Sequence, residues 1–172
     1  MTKPFDDTRV YIFEYPLFFR LLFKFGNLFV TVILSAYLIV IIIRLDKEVV
    51  NIIPLLIILA LIYVINRHYL MLYKVLPYKI TADEEKIICQ RFFLSKREFE
   101  IFYKDIETLT GGVFGGRARG LMKVFDGKSK VTIGFYESIG NVRTLQTILL
   151  SRVNEDIYNS VVEKLGLKKK NK

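Results

Sequence analysis

Two long runs of apolar residues stand close together near the start of the chain. The first, residues 25–43, has no charged side chain over nineteen residues. As an α-helix it would be about 28 Å long, close to the hydrocarbon thickness of a bilayer. The second run, residues 49–65, is shorter and has Asn51 and Pro54 near its start. The pattern predicts two membrane-spanning helices.

The two predicted helices are joined by only a few residues, 44–48, so they must run antiparallel and both chain ends must share one side. Cations are more frequent beside the outer ends of the helices than in the connection. The outer cations are Arg9, Arg20, Lys24, Arg67, Lys74, Lys79 and Lys86, and those of the connection are Arg44 and Lys47. Because the side richer in Lys and Arg stays in the cytoplasm, we expect two spans in the inner cell membrane with both termini cytoplasmic.

The stretch that leads into the first apolar run is rich in aromatic residues. Residues 11–25 contain seven Tyr and Phe, interrupted by one proline and two cations. Rings mixed with cations suit the lipid headgroup layer, so residues 1–24 are interpreted as a cytoplasmic and interfacial segment. The alternative is one long tilted helix over residues 17–43 whose cytoplasmic end carries the two cations.

Composition divides the chain into a transmembrane hairpin, residues 25–74, and a soluble domain, residues 75–172. The first 74 residues carry 8 Lys and Arg against 5 Asp and Glu, whereas residues 75–172 carry 18 against 12. A basic domain tethered beside a bilayer favours an anionic membrane surface over nucleic acid as its partner. Cys89 is the only cysteine, which excludes an internal disulfide and a cysteine-based metal site.

Short alternating segments separated by turn residues predict that the soluble domain begins with antiparallel strands. Residues 78–81, 86–93 and 97–102 are interpreted as three such strands. The pair Asp126-Gly127 stands between two further alternating segments and predicts a tight type I′ hairpin turn.

The end of the chain has apolar residues at helical spacing. They predict a helix over residues 141–153 and a second helical piece that Asn154 caps and that ends before Gly166. Strands therefore come first and helices last.

This order resembles the bacterial pleckstrin-homology-like domain that follows two helices in many small membrane proteins. Two segments carry the resemblance: Tyr78, Lys79, Ile80 and Thr81 before an acidic turn, and Tyr103, Lys104, Asp105, Ile106, Glu107, Thr108 and Leu109. The resemblance implies an α+β fold, with a strongly bent antiparallel sheet, a pleckstrin-homology-like barrel, closed by a C-terminal helix. It also implies a domain without catalytic activity.

A glycine-rich tract, residues 111–120, separates two of the predicted strands. Its five glycines can expose backbone N–H groups, and its two arginines add positive charge. The candidate contacts to an anion or a lipid headgroup are Gly115, Gly116, Arg117 and Arg119. The alternative is a mobile or bulged strand connection whose arginines are merely solvated.

No catalytic, cofactor-binding or metal-ligating set can be assembled from the sequence, because the single histidine, His68, lies at the membrane border. The preferred hypothesis is a non-enzymatic membrane protein that presents its domain to anionic lipid or to a protein partner. Its partners would be membrane lipids and another protein or further copies of itself, with no cofactor and no nucleic acid. The alternatives are an accessory subunit of a membrane transport or secretion complex, and a lipid-modifying enzyme that uses Arg117, Arg119 and His68.

Overall fold

The structure, a computed structural model, describes residues 10–45, 52–93 and 95–166. Residues 1–9, the hairpin connection from 46 to 51 and the lysine-rich end of the chain lie outside the described residues. The chain divides into two compact units. Leu17–Lys74 forms one, and the described residues before and after it form the other.

The first unit consists of two long helices, α1 (Leu17–Leu45) and α2 (Ile52–Val75). Their mean hydropathy reaches 2.5 and 1.9, and many of their large apolar side chains are exposed. Both are long and apolar enough to cross a membrane, as the sequence predicted. Helix α1 begins eight residues before Phe25, as in the alternative of one long helix.

Polar side chains join the two helices. Nδ2 of Asn27 donates to Oδ1 of Asn66 at 2.8 Å, and Nδ2 of Asn66 donates to Oγ1 of Thr31 at 3.1 Å. The hydroxyl of Tyr73 donates to the backbone oxygen of Lys24 at 3.1 Å. Since rising residue numbers on α1 meet falling numbers on α2, the helices are antiparallel. The bonds also satisfy amide groups that would be costly to leave unpaired in lipid.

The second unit contains two small antiparallel sheets. The first has the order β1-β2-β3-β4 and the second β5-β6-β7. The strands are β1 (Tyr11–Glu14), β2 (Pro77–Ala82), β3 (Lys86–Phe92), β4 (Phe99–Phe102), β5 (Ile106–Thr110), β6 (Met122–Asp126) and β7 (Val131–Phe135). The three strands predicted at the start of the domain are confirmed as β2, β3 and β4. A closed barrel is not seen.

Strand β1 was not expected from the sequence. It precedes the helical hairpin in the chain but pairs with β2, which follows the hairpin, so that Phe13 lies opposite Ile80. Phe13 and Tyr15 are buried, whereas Ile12, just before them, is exposed. Burial in the domain core removes these rings from the lipid headgroup role that the aromatic composition had suggested.

The predicted hairpin between β6 and β7 is confirmed, but the prediction of a two-residue Asp-Gly turn is wrong. Asp126 pairs with Val131, so four residues, 127–130, form the loop. The buried Asp126 carboxylate accepts hydrogen bonds from the N–H groups of Lys128 and Ser129 and from the Ser129 hydroxyl. This side-chain bonding stabilises a wider loop than a type I′ turn.

Two helices end the domain, α3 (Val142–Arg152) and α4 (Glu155–Lys164), which confirms the predicted order of elements. Leu145, Ile148 and Leu149 of α3 are buried. The side chain of Asn154 accepts from the N–H of Asp156, as predicted for its capping role. Helix α4 packs against β5 and the glycine-rich tract.

Candidate basic surface

The glycine-rich tract is folded as a compact turn between β5 and β6. Gly112–Gly115 forms a short 3₁₀ helix, which Gly111 and Gly116 flank with φ angles of 73° and 72°. A Cβ at Gly116 would lie 2.5 Å from the backbone oxygen of Lys164 at the end of α4. Left-handed backbone and close approach together explain why glycine occupies this position.

The backbone N–H groups of the tract are used within the turn itself. The N–H groups of Gly115, Gly116 and Arg117 donate to the carbonyl oxygens of Gly111, Val113 and Gly112, at 3.0 to 3.1 Å. An anion would therefore have to compete with these bonds for the amides of Gly115 and Gly116. The side chains of the arginines are the groups that remain for such a contact.

The turn is held to the core by Phe114. Its side chain is fully buried, and its ring meets the ring of Phe135 edge to face, with the centroids 6.3 Å apart. This anchor gives the arginine-bearing loop a fixed point of attachment on β7.

The two candidate arginines are exposed on this loop. In the part of the chain that the structure describes, neither Arg117 nor Arg119 has an ion pair or a hydrogen bond from its side chain. Each guanidinium presents five N–H donors that suit phosphate or carboxylate oxygens. The arrangement can therefore bind an anion without first breaking an internal salt bridge.

Positive charge is concentrated on β6, β7 and the loops beside them. Residues 111–135 contain five Lys and Arg and one carboxylate, Asp126, whose oxygens are used by the β6–β7 loop. Residues 77–102, which build most of the first sheet, contain five of each sign. There the charges form ion pairs. Nζ of Lys86 lies 2.7 Å from Oε2 of Glu100, and this hydrogen bond raises the pKa of Lys86.

Sequence reasoning found the arginines but missed the lysines that continue their charge along the β6–β7 hairpin. We call this set the basic surface; its members are Arg117, Arg119, Lys123, Lys128 and Lys130, and all are exposed. Lys123 lies on the outer face of β6, between the buried Met122 and Val124. Alternation along the predicted strand and the local excess of cations were the signals that could have identified it.

One aromatic ring lies within the basic surface. Phe125 is half-buried on the outer face of β6, and Nζ of Lys130 stands 5.7 Å from its ring centroid. The same ammonium group lies 3.6 Å from Oε1 of Glu107. The surface therefore combines cations with one partly exposed apolar ring, a composition that suits lipid headgroups.

Two other reactive side chains, Cys89 and His68, are not members of the basic surface. Cys89 is fully buried, and burial raises the pKa of its thiol, so the thiolate that reacts with electrophiles is disfavoured. His68 is exposed on α2, with its ring edge-on to Tyr69. Among the described residues no group of three His, Cys, Asp or Glu could hold a metal ion.

Comparisons of the chain with protein-family models, with curated proteins and with solved structures found no match.

Proposed function

We propose that this chain is a non-enzymatic membrane protein whose helical hairpin spans the inner membrane twice and whose domain binds anionic lipid at the cytoplasmic face. The domain would be a pleckstrin-homology-like module. Its strand order is the support for that assignment: four antiparallel strands, then three, then two helices.

The observation that carries this proposal is the charge of the basic surface. Five exposed cations follow the β6–β7 hairpin and its preceding loop, with one ion pair among them in the described residues, that of Lys130. Each Lys or Arg near an anionic bilayer contributes about 1 kcal/mol of attraction. Cations that already have a carboxylate partner, such as Lys86, would gain less from the lipid.

The chain connectivity gives a second argument. The hairpin is inserted between β1 and β2, two strands that pair with each other, and it is joined to them by one or two residues on each side. A domain attached at both ends of a membrane hairpin stays at the bilayer surface, where even weak lipid contacts act at high effective concentration.

The cytoplasmic location rests on the cations of the hairpin. Arg20, Lys24, Arg67 and Lys74 all belong to the helix ends that lead to the domain. Arg44 and Lys47 are the cations next to the other ends. The excess on the domain side favours the cytoplasm for the domain and for both termini.

A probe beside the arginines tests this function. The full chain carrying Ala118→Cys, at an exposed position between Arg117 and Arg119, is labelled with a fluorescent maleimide; the buried Cys89 is shielded from the dye. It is reconstituted in phosphatidylcholine vesicles with and without phosphatidylglycerol, and quenching by headgroup spin labels is measured. We expect stronger quenching with the anionic lipid, and a loss of this increase at high salt.

Two matched double variants complete the test. Arg117→Gln with Arg119→Gln should reduce the increase in quenching, whereas Lys96→Gln with Arg97→Gln removes the same charge from the exposed loop before β4 and should leave it unchanged. Equal quenching in neutral and anionic vesicles, or equal effects of the two double variants, would refute lipid binding by the basic surface.

A further inference from the structure

Tyr37 of α1 carries a hydroxyl group that the hairpin itself does not satisfy. Its side chain is 62% exposed, and no hydrogen bond from it is formed to any residue that the structure describes. Tyr63 of α2 is equally exposed at 62%, but its hydroxyl accepts a 3.2 Å hydrogen bond from Arg67. The two tyrosines therefore differ in whether their polar atom has a partner.

The position of Tyr37 in the apolar run makes this difference important. It lies twelve residues after Phe25 and six before Ile43, which corresponds to about 18 Å and 9 Å along a helix. The Cα–Cβ bond of a helical residue tilts toward the helix N-terminus. The ring of Tyr37 therefore leans toward the middle of the apolar run and away from its nearer end. A hydroxyl at that depth has no water or headgroup to bond with.

We infer that Tyr37 marks the face on which a second copy of this chain packs within the bilayer. This inference rests on the proposed membrane insertion of the hairpin. In a two-fold symmetric dimer with its axis along the membrane normal, the two Tyr37 hydroxyls lie at the same depth. A hydroxyl both donates and accepts, so one O–H···O bond between the two copies satisfies both groups.

The neighbours of Tyr37 are suited to this contact. Ile33 and Val40, four residues before it and three after it, lie on the same side of the helix and are 41% and 49% exposed. They offer aliphatic surface on either side of the hydroxyl pair. Another membrane protein would need to present a polar group at the same depth, whereas a second copy presents one by symmetry.

Cysteine cross-linking tests whether the side of α1 that carries Tyr37 is the dimer contact. Ile33→Cys and Ile39→Cys are introduced separately into the full chain in membranes, with Cys89 fully buried and shielded from the reagent. Ile39 is 59% exposed and close to Tyr37 in depth, but two residues along a helix it points to nearly the opposite side. We expect dimers to cross-link through position 33 and not through position 39. Equal cross-linking at both positions, or none at position 33, would overturn the inference.

A matched pair of variants tests the hydroxyl. Energy transfer between donor- and acceptor-labelled copies of the full chain is measured in phosphatidylcholine vesicles while the protein-to-lipid ratio is varied. Interhelical hydrogen bonds in membranes have modest strength, so Tyr37→Phe should weaken dimerisation by about 3-fold to 15-fold. Tyr63→Phe, at the equally exposed tyrosine, should leave it unchanged.

Membrane insertion is measured on the same vesicles by resistance to alkaline extraction. Extraction of the chain would contradict the proposed function. A chain that resists extraction yet stays monomeric at every ratio, or that dimerises equally with Tyr37→Phe, would contradict only the inference about Tyr37. Cross-linking to another membrane protein at position 33, without dimers of the chain, would also contradict it.

Discussion

The phenolic oxygen of Tyr15 accepts a 2.8 Å hydrogen bond from the backbone N–H of Tyr136. Tyr15 directly follows β1, in the first sheet, whereas Tyr136 directly follows β7, in the second. A neighbouring bond, from the N–H of Gly140 to the backbone oxygen of Glu14 at 3.0 Å, strengthens the same connection. The segment that precedes the hairpin therefore joins the two sheets of the domain.

Removing the Tyr15 hydroxyl should destabilise the domain. Tyr15 is 2% exposed, so Tyr15→Phe leaves the N–H of Tyr136 without this acceptor, at a cost of about 1–3 kcal/mol in the free energy of unfolding. Thermal or chemical unfolding of the full chain in mild detergent measures the change. The control is Tyr158→Phe on α4, where the ring is 44% exposed and a change of less than about 0.5 kcal/mol is expected. Equal stability of Tyr15→Phe and the parent chain would contradict the role of this bond.

The buried Tyr103 should make the domain sensitive to alkaline pH. Burial raises the pKa of Tyr103 from 10.0 to about 12, in spite of the Arg152 guanidinium 5.3 Å from its ring centroid. Below pH 10 this contribution to stability is fully present. Between pH 10 and about 12 the unfolded chain loses the proton first, so the free energy of unfolding falls.

Between these pH values, Tyr103 should lower the free energy of unfolding by on the order of 1.4 kcal/mol per pH unit. Unfolding by urea at a series of pH values measures it. In the variant Tyr103→Phe this pH dependence of the free energy of unfolding should be absent. From neutral pH up to the start of the titration, the free energies of unfolding of the variant and of the parent chain should differ by a constant amount. If the free energies of unfolding of the parent chain and of Tyr103→Phe fell in parallel above pH 10, Tyr103 would ionise equally easily in the folded and the unfolded state, which would contradict the prediction.

Two neighbouring glycines of the tract should respond differently to alanine. Gly116 has a φ of 72°, and a Cβ there would lie 2.5 Å from the Lys164 oxygen, so Gly116→Ala should destabilise the domain by at least about 1 kcal/mol. Gly115 has no atom within 4 Å of the added Cβ, so Gly115→Ala should change stability by less than about 0.5 kcal/mol. Unfolding midpoints of both variants decide the matter. Equal effects would mean that the packing of this turn against α4 does not explain its glycines.

The bond between Asn27 and Asn66 should show as a coupling between the two helices. A double-mutant cycle with Asn27→Ala and Asn66→Ala, measured by unfolding of the full chain in detergent, should give an interaction free energy of about 0.6–1.7 kcal/mol. A cycle between Asn27→Ala and Tyr63→Phe serves as the control, since Tyr63 bonds to Arg67 on its own helix. Additive effects of the two asparagine variants would contradict an interhelical bond at this position.

Most helices and strands could be predicted where the pattern of neighbouring residues determines them. The apolar run after Phe25 predicted α1, and the spacing of Leu145, Ile148 and Leu149 predicted the buried side of α3. Strand β1 was missed because its partner β2 lies more than sixty residues further along the chain. The alternation of Phe13 and Tyr15 was present, but nothing local distinguished a buried strand from an interfacial segment.

The candidate site was predicted in part for a similar reason. Arg117 and Arg119 stand out in a tract of glycines, whereas Lys123 and Lys130 join them only once β6 and its loop are placed. The Asp126 loop shows the same limit. The dipeptide Asp-Gly favours a tight turn, but the buried carboxylate and its bonds to Lys128 and Ser129 select a wider one.

The sidedness of two cysteines in a membrane tests the central claim most directly. Ala118→Cys lies in the domain and Lys47→Cys in the hairpin connection, and a membrane-impermeant maleimide is applied to right-side-out and to inverted vesicles of the inner membrane. We expect position 118 to react only in inverted vesicles and position 47 only in right-side-out vesicles. Reaction of both positions from the same side would contradict a hairpin that spans the bilayer twice and holds its domain in the cytoplasm.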